Sequence, residues 1–427
     1  MEEAGVSEAT REAFRHMYEQ LVSGDSVEIP GDELEPVRDL RRLEDLPGEV
    51  PDELLDRVAI LKLNGGLGTS MGLARPKSLI EVKPGWTFLD VIVRQVLAMR
   101  RRHEARLPLV LMNSFSTQGP TLEALARYDD LEVDVPLDFL QSRVPRLRAD
   151  NLEPIEWPDD PELEWAPPGH GDLYASLIGS GLLDTLLEYG YEYLFVSNSD
   201  NLGAILEPRI LALAMREELP FVMEVVEGTE AERKGGHIAR RDGRLLLRES
   251  AQAPDDDDSF TDFRRWRYYN SNNLWVRLPW LAENGVPKLP LIVNRKNVVS
   301  SDPSTPEVIQ LESAMGAALG TIEGAEAVWV PRTRFAPVKT TNDLLVVRSD
   351  AYVLDEDDAS LDPSPQRGDA APPVVDLEPR FYKNLEDFEA RFPAGPPSLV
   401  AAERLVVKGD VTFGAGSVIS GEAEVAA

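Results

Sequence analysis

The 427-residue chain contains no cysteine, which excludes disulfide bridges, thiolate nucleophiles and cysteine-ligated metals. No stretch approaches the roughly 18 consecutive apolar residues of a membrane span. Residues 1–12 are acidic and have neither the basic nor the apolar region of a secretory signal. The expectation is therefore a cytoplasmic chain with no membrane partner. Positive charge is also short: the formal net charge is −31. A nucleic-acid partner is not expected either, because phosphate-backbone binding needs a basic face that releases counterions. Where arginine serves almost everywhere, a retained lysine marks a position needing a compact charge with rotatable donors. Lys77, Lys234, Lys296 and Lys339 fall inside motifs, whereas Lys83, Lys288 and Lys383 read as survivors of drift towards arginine.

What is present suffices for a real core, since 43% of residues are hydrophobic. Helix-like spacing of Ala13, Met17 and Leu21, and later Leu40 and Leu43, predicts a helical flank over residues 1–56. Residues 57–350 alternate strand-like runs (58–63, 107–112, 135–140, 193–198, 221–226) with helical ones (87–103, 121–127, 173–188, 207–216). That order predicts an α/β domain with a mixed, largely parallel sheet. Further strand-like runs at 245–249 and 263–269 enclose Asp255-Asp256-Asp257-Asp258. Neighbours in such a run point apart, so a solvated loop is expected instead of a metal site. Residues 351–379, rich in Asp and Pro, read as a linker. Within the short C-terminal segment, 380–427, glycines and apolar residues at hexapeptide-like spacing suggest about one rung of a truncated β-helix.

The strongest chemical signal is Leu63-Asn64-Gly65-Gly66-Leu67-Gly68-Thr69-Ser70-Met71-Gly72, with Pro76-Lys77-Ser78 soon after. Glycines directly after the first buried strand let backbone N–H groups reach phosphate oxygens. An open sheet presents such a loop at its carboxyl edge, where ligands bind. No Gly-Lys-Ser/Thr closes it, so it is not a Walker loop. Asp200 follows the 193–198 strand, where a carboxylate can hold Mg²⁺ against phosphates or merely cap a turn.

These motifs resemble the signature loop of the eukaryotic-type UDP-glucose pyrophosphorylases. The resemblance continues in order through Leu111-Met112-Asn113, Gln141-Ser142-Arg143, Gly169-His170-Gly171, Ser197-Asn198-Ser199-Asp200, Lys234-Gly235-Gly236, Asn270-Ser271-Asn272-Asn273, Asn294-Arg295-Lys296 and Pro337-Val338-Lys339. It covers about residues 50–350. It implies a glycosyltransferase A-like, Rossmann-like nucleotidyltransferase fold and Mg²⁺-assisted transfer between UTP and glucose 1-phosphate. Lys77, Lys339 and Lys234 would then be catalytic, with Asp200 on the metal. Leu63, Asn64, Gly65, Gly66, Met112, Gln141 and Gly171 would bind the nucleotide. His170, Asn198, Glu249, Asn270, Asn272 and Lys296 would take the sugar and phosphate. For the amides and His170, an ordinary turn or surface role is the alternative.

Two departures stand out: His237 and Ser199 occupy positions where the family has, respectively, a smaller and an aliphatic residue. The cut-down β-helix leaves oligomerisation through it in doubt. Two other functions compete: a pyrophosphorylase for another sugar 1-phosphate, and a UDP-sugar-binding sensor without catalysis.

Overall fold

The computed structural model describes residues 1–24, 28–368 and 370–427. Its central strand, β1 (Val58–Asn64), is buried on both faces. Val58 and Ile60 join one hydrophobic cluster, while Ala59 and Leu61 join the other. This is why its sequence is a near-continuous apolar run. The strands that follow are β2 (Leu109–Asn113), β3 (Asp138–Leu140), β4 (Tyr193–Asn198), β5 (Phe221–Glu227), β6 (His237–Arg241), β7 (Arg244–Arg248) and β8 (Tyr268–Arg277). Next come β9 (Ile292–Asn297), β10 (Glu307–Glu312) and β11 (Glu326–Trp329). Across the main sheet the order is β11-β5-β8-β4-β1-β2-β3. Every neighbouring pair is parallel except those made by β8, which runs antiparallel to β4 and β5. That reversal places the first half of β8 at the carboxyl edge of β1, β4 and β5.

The α/β expectation holds, with local corrections. Helix is confined in the N-terminal flank to Glu8–Ser23 and to short 3₁₀ turns. Leu40 and Leu43 are not on it; Pro30 and Pro36 interrupt helical hydrogen bonding. Instead Arg41–Arg42 adds a short edge strand parallel to β11. The Glu8–Ser23 helix packs Met17 against Leu147, Leu291, Ile309 and Leu311 of a small separate sheet containing β9 and β10. The 173–188 helix divides at Gly181, whose φ of +76° ends one helix and starts another.

The 351–379 stretch is ordered where described. Tyr352–Leu354 and Leu361–Pro363 form a hairpin, and buried Arg367 donates to the carbonyls of Leu399, Val400 and Ala402 at 2.9–3.0 Å. Polar composition concealed this because the anchor is itself a charged residue. Asp369 of this stretch lies outside the described residues. At the end of that stretch β12 (Val374–Leu377) joins β13 (Ser398–Lys408) and β14 (Val418–Ala426) of the C-terminal segment in a three-stranded parallel sheet.

The acidic run is not wholly solvated either. Asp257 pairs with buried Arg248 and accepts from the Gly31 and Ser259 amides, both at 2.9 Å. Partial burial disfavours its charge, but bonds from Ser259 and Arg248 prevail and hold its pKa at about 2. Beside it, His237 is fully buried, its ring stacked on Trp266 at 4.7 Å and tilted against Phe260 at 4.9 Å. Neither ring nitrogen has a hydrogen-bond partner. The departure is thus a packing residue beneath the cleft.

Burial, with Arg248 adding repulsion, pushes His237 down to about 3. Its unfolded-state value is about 6.5, so between pH 6.5 and 3 the unfolded chain binds the extra proton. The stability that neutral His237 permits is present above pH 6.5 and lost as pH falls through that window. Relative to a His237→Leu variant, the wild type is expected to lose about 2 kcal/mol between pH 7 and pH 5. Urea denaturation of both at each pH reads this; parallel pH curves would show that His237 does not titrate as described.

Candidate active site

The carboxyl edge of the sheet gathers the polar residues that the strands themselves exclude. At the end of β1, Asn64 is buried and its amide donates to Asn113 Oδ1 at 2.7 Å and Thr121 Oγ1 at 2.9 Å. Asn113 in turn donates to Asp138 Oδ2 at 3.0 Å. Asn64 therefore fixes the start of the glycine loop, tying β1 to β2 and β3. The loop folds back on itself, with the Lys77 amide donating to the Gly66 carbonyl at 3.2 Å. Gln141 lies across Gly65 so closely that a Cβ there would sit 2.6 Å from its Oε1. Glycine at 65 is thus what lets the amide and the loop share one wall of the cleft.

Lys77 and Asp200, 123 residues apart, form an ion pair with Nζ donating to Oδ2 at 2.6 Å. Both are mostly shielded, which strengthens the pair. Asp200 Oδ1 is buried without a hydrogen-bond partner. An unsatisfied carboxylate oxygen in a protein is costly and suits a cation. Among the described residues no cluster of three His, Asp or Glu side chains surrounds it. A donor set of one carboxylate fits Mg²⁺, which binds through one or two carboxylates and completes its shell with phosphates and water.

The Lys339 segment is laid against this turn by backbone bonds. Val338 N donates to the Asp200 carbonyl at 3.1 Å, and Ala336 N to Asn201 Oδ1 at 3.0 Å. Asn201 Nδ2 donates to the Arg334 carbonyl at 3.1 Å. Immediately after Lys339, Thr340 and Asp343 form a capping box that starts helix Thr341–Arg348. Beneath the segment, Arg334 makes a bidentate pair with fully buried Glu224 at 2.8 and 2.7 Å. Asn273 and the Trp275 indole also donate to Glu224, at 3.0 and 3.1 Å. Sequence reasoning missed Glu224 and Arg334. The available signal was one glutamate inside the otherwise apolar strand Phe221–Glu227, since a buried charge demands a partner.

The opposite wall is shaped by a β-bulge. Pairing between β5 and β8 slips between Glu224 and Val225, and Asn272 takes a left-handed conformation with φ of +59°. Asn270 Nδ2 donates to Asn272 Oδ1 at 2.9 Å, and Asn272 N to Asn270 Oδ1 at 2.8 Å. The bulge thus binds the two amides to each other, which simple alternation along a strand would not give. Glu249 packs against Gly236; burial raises its pKa, and Lys339 opposes the rise. His170 is exposed, yet the protein packed around it disfavours its charge and Lys339 adds repulsion, so that it is pushed down to about 4. Met315 N donates to its Nδ1 at 3.0 Å, leaving Nε2 as the protonated nitrogen of the neutral ring. Gly171 is fixed by its own N–H donating to the Ser313 carbonyl at 2.8 Å. Ser313 was not foreseen from sequence.

The remaining residues are less convergent. Leu63 and Asn198 pair across β1 and β4 at the same edge. Met112 is buried in the core, with its side chain in packing. Lys234 is exposed on the loop before β6, and Lys296 is exposed on β9, outside the main sheet. Neither makes a contact that joins it to Lys77 or Asp200 here. Ser199 is buried, as a packing role requires. A cavity of about 350 Å³ lies elsewhere, between Arg75, Arg348, Phe388 and Phe392. Its mixed lining lacks the convergent amides and lysines of the open cleft, which is the better candidate.

Comparison with known proteins points the same way. A family model described as UTP–glucose-1-phosphate uridylyltransferase matches residues 11–420. The protein of that name from Solanum tuberosum is 40% identical over 99% of this chain and 89% of its own length. Its Hordeum vulgare counterpart is 41% identical over 94% of this chain and 83% of its own. Among solved structures, a UDP-glucose pyrophosphorylase mutant from Leishmania major in complex with UDP-glucose superposes with a TM-score of 0.93. It is 44% identical, covering 100% of this chain and 95% of that one.

The buried pair gives a stability prediction. Glu224→Ala strands the Arg334 guanidinium, and a loss of about 3–5 kcal/mol is expected in urea denaturation. A loss under about 1 kcal/mol would mean that the pair does not hold this edge together.

Proposed function

The chain belongs to the UTP–glucose-1-phosphate uridylyltransferase family, and we propose that it converts UTP and α-D-glucose 1-phosphate reversibly into UDP-glucose and pyrophosphate. A phosphate oxygen of the sugar phosphate attacks the α-phosphorus of UTP. A new P–O bond forms as the bond to the β-bridging oxygen breaks, and pyrophosphate leaves. No protein nucleophile is needed, in keeping with a cysteine-free chain. The observation carrying this reading is the Lys77–Asp200 pair set against the glycine loop, with Asp200 Oδ1 left over.

Each group has work that its position suits. The loop amides after β1 meet phosphate oxygens, and Gln141 over Gly65 faces the uracil edge. Lys77 and Lys339 supply positive charge where negative charge develops, inside an otherwise repelling surface. Asp200 would hold Mg²⁺, which neutralises phosphate charge when bound. Neutral His170 offers its Nε2–H to a phosphate or sugar oxygen, while Asn270, Asn272 and Glu249 supply acceptors and donors for hydroxyls. Lys234 and Lys296 would add positive charge to the phosphate side. No helix among the described residues is long and apolar enough to cross a membrane, and a cytoplasmic location fits this chemistry.

Pyrophosphate release should require UTP, glucose 1-phosphate and Mg²⁺ together. Turnover with a different sugar phosphate would overturn the substrate, and binding of UDP-glucose without turnover would support a sensor. Lys339→Ala should lower kcat by on the order of 10²–10³ with an unchanged thermal midpoint. Wild-type turnover by that variant would remove Lys339 from the phosphate site.

A further inference from the structure

Lys62 is the one lysine on β1, and its side chain is buried directly behind the cleft. It belongs to none of the motifs above. Its Nζ donates to Ser197 Oγ at 2.7 Å and to the Ala204 carbonyl at 2.8 Å, both acceptors being buried. Ser197 is the β4 residue directly opposite Lys62. Ala204 stands on the far side of the turn that carries Asp200. One ammonium therefore closes the base of the turn, joining the strand that enters it to the chain that leaves it. From the other side the turn is gripped by Val338, whose amide holds the Asp200 carbonyl, and by the Asn201 bonds to Arg334 and Ala336.

We propose that Lys62 is a positioning residue, stapling the 197–204 turn so that Asp200 faces Lys77 at a fixed distance. The inference rests on the reading of Asp200 given under the proposed function. An arginine could not replace Lys62, because two acceptors at the base of one turn suit a compact head with rotatable donors and not a planar fork. Burial, with Arg334 adding repulsion, pushes Lys62 down to about 7. The neutral amine still carries two N–H donors for the two acceptors, so the staple survives deprotonation. Nearby Glu224 is committed to Arg334, Asn273 and Trp275 and needs nothing from Lys62.

The test compares wild type with Lys62→Met, which keeps the chain length and loses the donors, and with Ser197→Ala, which removes one anchor from a site that readily accepts alanine. Amide hydrogen exchange over residues 197–206 is expected to quicken at least tenfold in Lys62→Met and less in Ser197→Ala, with exchange in β5 unchanged. In the same samples kcat should fall at least tenfold for Lys62→Met, while calorimetric affinity for UDP-glucose without metal changes less than threefold. Exchange at wild-type rates over the turn, or quickening spread evenly through the sheet, would overturn the staple. So would kcat and UDP-glucose affinity falling together. If Lys62→Met does not fold, the same split in Ser197→Ala decides. An inactive wild type would count against the proposed reaction alone, because the exchange comparison needs no turnover.

Discussion

One buried carboxylate sets the terms for the site. Glu224 lies in the middle of the main sheet without solvent, and such a charge is tolerated only when every lone pair is engaged. Arg334 answers it with two bonds, and Asn273 and Trp275 supply the rest. The consequence extends beyond stability. Arg334 is drawn inward from a segment 110 residues further along the chain, and its carbonyl is thereby placed to accept from Asn201. The same stretch continues through Val338 to Lys339, so the position of a cationic side chain in the cleft follows from an ion pair below it.

The electrostatics of the whole molecule make this arrangement useful. A chain with net charge −31 repels nucleotide anions at long range. Anion binding by such a chain calls for local cations, and Lys77 and the segment carrying Lys339 are both brought to the Asp200 turn. Lys77 is held by Asp200, which limits its conformational freedom before any substrate arrives. Lys62 and Lys83 show another use of the same scarce residue. Each is buried enough to be pushed down, to about 7 and about 8; Lys62 donates to a hydroxyl and one carbonyl, Lys83 to backbone carbonyls. Lys83 was read as a survivor of drift, yet it bonds to the Ser349 and Tyr352 carbonyls at 2.7 Å.

Much of the fold was legible because burial leaves a periodic trace. The strands at 58–63, 193–198 and 221–226 are found within a residue of those positions, since both faces of the sheet are covered. The long β8 was less legible: its asparagine-rich first half, Asn270 to Asn273, carries no apolar pattern. Asn270 and Asn272 bond to each other, and Ser271 and Asn273 bond to Glu224, so this half of the strand is held by polar bonds that leave no apolar trace. Likewise 351–379 looked like a linker because Arg367 anchors through its guanidinium instead of an apolar surface. His237 was visible only as an unexpected residue; its aromatic surroundings come from Phe260, Trp266 and Tyr269, and no sequence spacing brings them to it.

The sequence by itself determined the α/β class, the glycine loop with its following lysine, and the family, because local backbone chemistry and hydrophobic alternation are written in consecutive residues. Tertiary structure alone decided that Asn64 is a tie between strands, that Asp200 keeps one oxygen unpaired beside Lys77, and that a bulge binds Asn270 to Asn272. Apart from the Asn270–Asn272 bond itself, these follow from contacts between segments far apart in the chain. Their distances are set by how the strands order themselves in the sheet, and no local pattern encodes that order.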